Sequence, residues 1–335
     1  HSTKNGNIRK VKNDKIDSKG IAKLGLSKDI PVSQFPAKLV LELRSLTRKY
    51  YDLTDERSAH INKLKGDLHT VFPQYLDVFC DVTGKTSTMI LRQYGTPDKI
   101  LRGHKKTMIE KISKASRKGL AKASERYEKL CAAANAAKTF GCQIDSIYFN
   151  IFLTLDLVEK LDSALDSILN RIRQLITFNK NEKFIQQIKL LNTIPGVGFL
   201  TAVTIMCEIG DFSAFRNPKQ LFAYFGLDPE VNESGKFVGT QLHMSKRGSR
   251  IARRAIFAVA LASIRTKRNG EGINPYLRKY YELKSGQKPK MVAIGAVMHK
   301  VCNIVFAVLR DEKAFELRSP EEHCKQYQRP ALAAA

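Results

Sequence analysis

Two long apolar seams constrain this chain more than any other feature of its sequence. Leu39, Leu43, Leu46, Tyr50 and Leu53 recur four and three residues apart. That spacing predicts a long helix with one continuous apolar stripe. The stripe falters at Arg57 and His60, resumes through Ile61, Leu64, Leu68 and Val71, and stops at Pro73, which cannot continue a helix. Val158, Leu161, Leu165, Ile168, Ile172 and Leu175 repeat the pattern. Two such helices must cover their stripes, either against each other or against a second copy of the chain. Their length leads us to expect a homo-oligomer through a coiled coil, with ordinary packing within one chain as the alternative.

Around the seams the chain divides into three parts. Residues 1–35 are basic and polar, with one short amphipathic segment at Lys19–Leu26. Residues 36–183 hold the seams and, at about 81–143, an insert of small helices joined by Gly and Pro turns, including the lysine-rich stretch His104–Lys129. Residues 184–335 read as mainly helical. Thr83-Gly84-Lys85-Thr86 has the ending of a phosphate-binding loop, but Phe79 stands where the motif needs glycine, so it is rejected.

Charge narrows the partners. Lys and Arg number 57 against 32 Asp and Glu, a formal net charge of +25. Such an excess favours a polyanion, with nucleic acid first and a solvated basic surface as the plain alternative. The six cysteines form no C-x-x-C pair, which argues against a zinc ribbon. Most of them sit in apolar helical runs and read as small buried hydrophobes, in a reducing, cytoplasmic setting. His299 and Cys302 lie three apart without a second ligand pair. No apolar run is read as membrane-spanning, and no signal peptide is evident.

Three stretches could carry chemistry. Ile194-Pro195-Gly196-Val197-Gly198, set between apolar helical runs, fits a helix-hairpin-helix. Gly196 and Gly198 would let backbone amides meet a phosphate oxygen without reading a base. The alternative is a structural turn. Met244–Arg254 places Lys246, Arg247, Arg250, Arg253 and Arg254 beside Ile251, Ala255 and Ile256, so the basic residues would face outward toward a phosphate backbone. A solvated charged face is the alternative. Asp14 and Asp17, three apart, can share a helix face and contribute to a divalent-cation site, although such acids are commonly plain surface residues. Ser234, in Asn-Glu-Ser-Gly, reads by itself only as a turn residue.

Taken in order, Lys12-Asn13-Asp14-Lys15-Ile16-Asp17, Ile194–Gly198, and Glu233-Ser234-Gly235 with Met244-Ser245-Lys246 resemble the transposases of insertion sequence family 110. The resemblance covers nearly the whole chain. It implies an RNase-H-like domain with four acidic residues, a coiled coil and a helical transposase domain. It further implies a DNA recombinase, RNA-guided in at least some members, that holds Mg²⁺ on the acids and attacks DNA through a serine. The matching residues are Asp14 and Asp17, as the last two acids, and Ser234. The first two acids would lie upstream of Asp14, so the chain is expected to be N-terminally truncated, with an incomplete metal site and little or no recombination by itself.

The fold expected is mainly α: a remnant of an RNase-H-like α/β domain, a coiled-coil middle and a C-terminal helix-hairpin-helix transposase domain. The function expected is DNA strand cleavage and exchange, with DNA, a guide RNA and a second copy of the chain as partners and no membrane. A non-enzymatic nucleic-acid-binding protein built on the same hairpin is the alternative.

Overall fold

The computed structural model describes residues 14–26, 36–140, 142–230, 233–234, 237–238 and 244–322. Among them the chain is mainly helical, and it divides into two units, 1–38 and 39–335. The first contains α1 (Asp14–Leu26), which includes the amphipathic segment expected at Lys19–Leu26. Its Ile21 and Leu26 are exposed.

The second unit is organised by α2 (Lys38–Val71) and α8 (Asp145–Phe178), each 34 residues and so about 51 Å long. They run antiparallel within the one chain. Leu39 and Leu43, near the start of α2, share a core with Ile172 and Ile176, near the end of α8. At the opposite ends, Leu64, Leu68 and Val71 share a second core with Tyr148, Ile151 and Leu155, and the Tyr148 hydroxyl donates to the Val71 carbonyl (3.4 Å). Midway, Arg57 makes a bidentate ion pair with Asp162. The break in the α2 seam is therefore a polar contact between the two long helices. A stripe on the outer side of α8 stays uncovered, at Phe149, Leu153 and Leu157.

The insert fills the far end. Its helices are α3 (Tyr75–Val78), α4 (Lys85–Gln93), α5 (Pro97–Arg102), α6 (Lys105–Ser116) and α7 (Leu120–Phe140). Thr96 caps α5 by accepting from the Lys99 amide, with Pro97 at the first position, where its missing N–H costs nothing. Phe72, Tyr75, Ile90, Ile100, Met108, Ile112 and Leu130 are fully buried together.

The near end carries the C-terminal helices: α9 (Lys183–Leu191), α10 (Phe199–Ile209), α11 (Pro218–Tyr224), α12 (Arg250–Ile264), α13 (Pro275–Ser285) and α14 (Lys290–Asp311). Asn217 and Asn274 cap α11 and α13, each followed by proline at the first position. The sequence reading missed one property of α14. It is long and apolar enough, by length and composition, to cross a membrane, with 56% of its apolar window buried. It packs among α9, α11, α12 and α13 and serves as the central core helix.

Candidate nucleic-acid interface

The glycine turn joins α9 to α10 and is fixed from behind by α12. The Ser263 hydroxyl donates to the Pro195 carbonyl (3.0 Å), and Val197 N–H closes the turn on Ile194 O (2.9 Å). Gly196 has φ +96°, and a Cβ there would lie 2.5 Å from Ser263 Oγ. A side chain is excluded on both counts. Gly198 differs: it caps α10 with φ −82°, and nothing lies within 4 Å of a Cβ placed there. The opening amides of α10 lack intrahelical acceptors, and no acid occupies its first turn. Arg173 of α8 sits beside this end, 6.0 Å from the Phe199 ring centre.

Ser234 lies in the segment between α11 and α12. Its neck is closed by Ser245, whose amide donates to Asp228 O (2.8 Å) and whose hydroxyl donates to Asp228 Oδ1 (2.6 Å). Pro229 pairs antiparallel with Met244 just beyond. Farther out, β1 (Glu233–Ser234) pairs with β2 (Phe237–Val238), Ser234 opposite Phe237. Ser234 is thus the last strand residue before a two-residue connection. The side-chain surroundings of Ser234, and Asn232 and Gly235 entirely, lie outside the described residues. Strand β2 covers Phe237–Val238; residues 239–243 lie outside the described residues.

Below the neck the chain is tightly packed. A Cβ on Gly248 would fall 1.9 Å from Tyr224 O, so only glycine fits. Lys246 takes a left-handed conformation (φ 54°) and its amide donates to Gly226 O (3.0 Å). Lys246 and Arg247 are exposed.

The three arginines that follow have partners inside the protein. Arg253 donates from Nη1 to Gly248 O (2.7 Å) and Phe225 O (3.1 Å), and burial lowers its pKa. Arg254 pairs with Asp55 of α2 (2.7 Å) and stacks on Tyr51, 4.8 Å from its centre. Arg250 reaches the other oxygen of Asp55 (3.2 Å). The single outward stripe read from the sequence is therefore three different environments, because α2 lies against α12.

The sequence reading missed this α2 contact. Arg48 makes a bidentate pair with Glu208 of α10 (2.8 and 2.9 Å), and Glu208 is 3% exposed. Burial pushes the Glu208 carboxyl up, but hydrogen bonds from Arg48 and Ser249 and the nearby Arg44 hold it below its usual value. Arg44 donates to Cys207 O (2.7 Å), and the Tyr224 hydroxyl donates to Glu208 O (3.1 Å). Burial raises the Cys207 thiol to about 12, so it stays protonated. Cys302 is buried, and its pKa is likewise raised. His299 packs edge-on to Phe222 at 4.6 Å. Cys324 lies outside the described residues.

Asp14 and Asp17 both fall on α1, three apart and hence on one face; their side-chain surroundings, and Lys12 and Asn13 entirely, lie outside the described residues. Among the described residues no three His, Cys, Asp or Glu side chains gather as a metal site would require. Two carboxylates alone fall short of the ligands a divalent ion needs.

The exposed Lys246 and Arg247 leave cations free beside the closed neck, on a chain of formal net charge +25. Comparison with known proteins makes this specific. Residues 188–282 match the family described as Transposase IS116/IS110/IS902, and residues 1–73 match an IS110 DEDD transposase family. The chain is 23% identical to the insertion element IS110 43.6 kDa protein of Streptomyces coelicolor, over 84% of this chain and 66% of that one. It is 24% identical to the insertion element IS116 44.8 kDa protein of Streptomyces clavuligerus, over 92% and 74%. It is 30% identical to the pilin gene-inverting protein of Moraxella bovis, over 52% of each. The chain belongs to the IS116/IS110/IS902 transposase family. It spans just under two thirds of the IS110 protein and about half of the pilin gene-inverting protein.

Proposed function

We propose that this chain cleaves and exchanges DNA strands, with Ser234 as the nucleophile. The observation that carries the reading is the family match over residues 188–282, which takes in the glycine turn, the Ser234 arm and the basic neck together. The Ser234 hydroxyl attacks a backbone phosphorus and one bond from phosphorus to a sugar oxygen breaks. The serine proton leaves to solvent or a base, and the released sugar oxygen takes up a proton. The phosphoserine ester conserves the bond energy, so a sugar hydroxyl of a second strand can attack it and free the serine. Charge on the phosphate is offset by Lys246 and Arg247 at the neck, with Arg250 and Arg254 behind them. The amides beyond Gly196 and Gly198 hold a neighbouring phosphate. Arg253, engaged with two carbonyls, supports the neck.

The family match also points to divalent-metal dependence in general terms. We assign Mg²⁺ as the ion and the face of Asp14 and Asp17 as a share of its ligands. A guide RNA, and pairing of two copies through the long helices, complete the proposal; the uncovered stripe at Phe149, Leu153 and Leu157 supports the latter. The test is strand exchange between two element ends, followed with a protein of the relatives' full length that carries this chain and with Ser234→Ala in that protein. Exchange should vanish in the variant while DNA binding is retained, since no cation is lost. Exchange at the normal rate in Ser234→Ala would leave a non-enzymatic binding role for the arm.

A further inference from the structure

The geometry points to a second DNA-binding surface on this chain, at the tip of the α6–α7 hairpin in the insert, which holds the backbone of duplex DNA flanking the reaction site. The identity of the ligand rests on the recombinase reading; the surface itself rests on how the insert's charges are wired. At the root of the hairpin three cations are matched, Lys105 with Glu128 (2.7 Å), Lys129 with Glu125 (2.8 Å) and Lys138 with Asp98 (2.8 Å), while the exposed Lys106 makes no ion pair among the described residues. At the tip they are not. Lys114, Arg117 and Lys118 are all exposed, and none makes an ion pair among the described residues. Glu110, the one acid of α6, lies a turn before Lys114 without pairing with it. Arg117 ends α6 in the left-handed conformation (φ 54°), a position glycine fills without strain. The apex of the turn is thus given to a charged side chain.

Charge argues for a duplex. The chain carries a formal net charge of +25, and the insert and transposase cores occupy opposite ends of one pair of long helices, so the tip offers its cations away from the basic neck. Duplex DNA, the substrate of the proposed reaction, carries one negative charge per about 1.7 Å of its axis, and a stretch beyond the reaction site supplies phosphates to the tip.

The experiment is a salt titration of binding to a 30-base-pair duplex, followed by fluorescence anisotropy, with the full chain and with a Lys114→Gln, Arg117→Gln, Lys118→Gln variant. A control variant, Lys63→Gln, Lys65→Gln, Lys160→Gln, removes the same charge from exposed positions on α2 and α8. The tip variant should lower the log–log salt slope by about 2.7 and weaken binding about a hundredfold near 0.15 M salt, from three lost phosphate contacts. The control should leave the slope nearly unchanged. An unchanged slope in the tip variant, or an equal fall in the control, overturns the proposal. So does a loss confined to RNA duplexes, or a loss of the folded state in thermal melts of the tip variant. Ser234 adduct formation is read separately, so failure of the catalytic reading would leave this measurement standing.

Discussion

The two basic segments, Lys246–Arg254 at the transposase end and Lys114–Lys118 at the insert, have similar composition and opposite wiring. In the first, three of five cations are committed inside the protein: Arg253 to the carbonyls of Gly248 and Phe225, and Arg250 and Arg254 to Asp55. In the second, the tip cations face solvent unpaired. The difference follows from neighbours rather than local sequence. Helix α2 passes over α12 and brings an acid with it, whereas nothing described passes over the α6–α7 turn. A basic run is a phosphate site only as far as the fold leaves it one.

The largest effect should come from cutting the tie that brings α2 to the transposase core. Arg48→Met leaves Glu208 buried without its bidentate partner, which should destabilise the fold by about 3 kcal/mol. Thermal unfolding should fall by several degrees, and a variant melting like the wild type would mean that α2 is not anchored there. Next is Arg253→Ala, which strips a shared charged donor from two carbonyls and should cost about 2 kcal/mol. Arg117→Ala, its counterpart at the tip, should stay within about 0.5 kcal/mol. Denaturant titration of both would break the comparison if the two losses were equal.

Asp55→Asn sharpens it from the other side. The exposed pairs it removes are worth about 1 kcal/mol or less to stability, yet it releases Arg250 and Arg254. Affinity for duplex DNA at low salt should rise roughly threefold to tenfold as up to two phosphate contacts become available. A fall in affinity would show that Asp55 holds the arginines in their DNA-binding pose. The smallest effect is at His299, whose pKa is lowered by burial and then by Lys300. With the folded pKa below the unfolded value near 6.5, the unfolded chain takes up the proton first as pH falls. The stability contribution is complete above that value and is lost below it. His299→Gln should flatten the melting temperature between pH 7 and 5 by an amount worth about 0.5 kcal/mol or less.

The long helices were legible because their apolar positions repeat without a tertiary partner being known: Leu39, Leu43, Leu53, Leu64 and Leu68 are buried where the seam puts them. Even its interruption at Arg57 had a meaning, although Asp162, 105 residues away, could not be named from spacing. The turn at Gly196 was likewise local. Asp55, Arg48 and Glu208 carried no local signal. An acid in the middle of a charged helix looks like any solvated residue until another helix lands on it. Helix α14 has the length and apolarity of a membrane span yet packs as the core helix, because a helix buried in protein and one in lipid share the same apolar composition.

The central claim is a covalent bond between Ser234 and DNA. A duplex carrying an element end, nicked beside the scissile phosphate so that cleavage cannot be reversed, should accumulate a protein–DNA adduct with a wild-type protein of the relatives' full length that carries this chain. Peptide mass spectrometry should locate the phosphate on Ser234. An adduct on another residue, or cleaved DNA with no adduct under conditions where strand exchange proceeds, would contradict it.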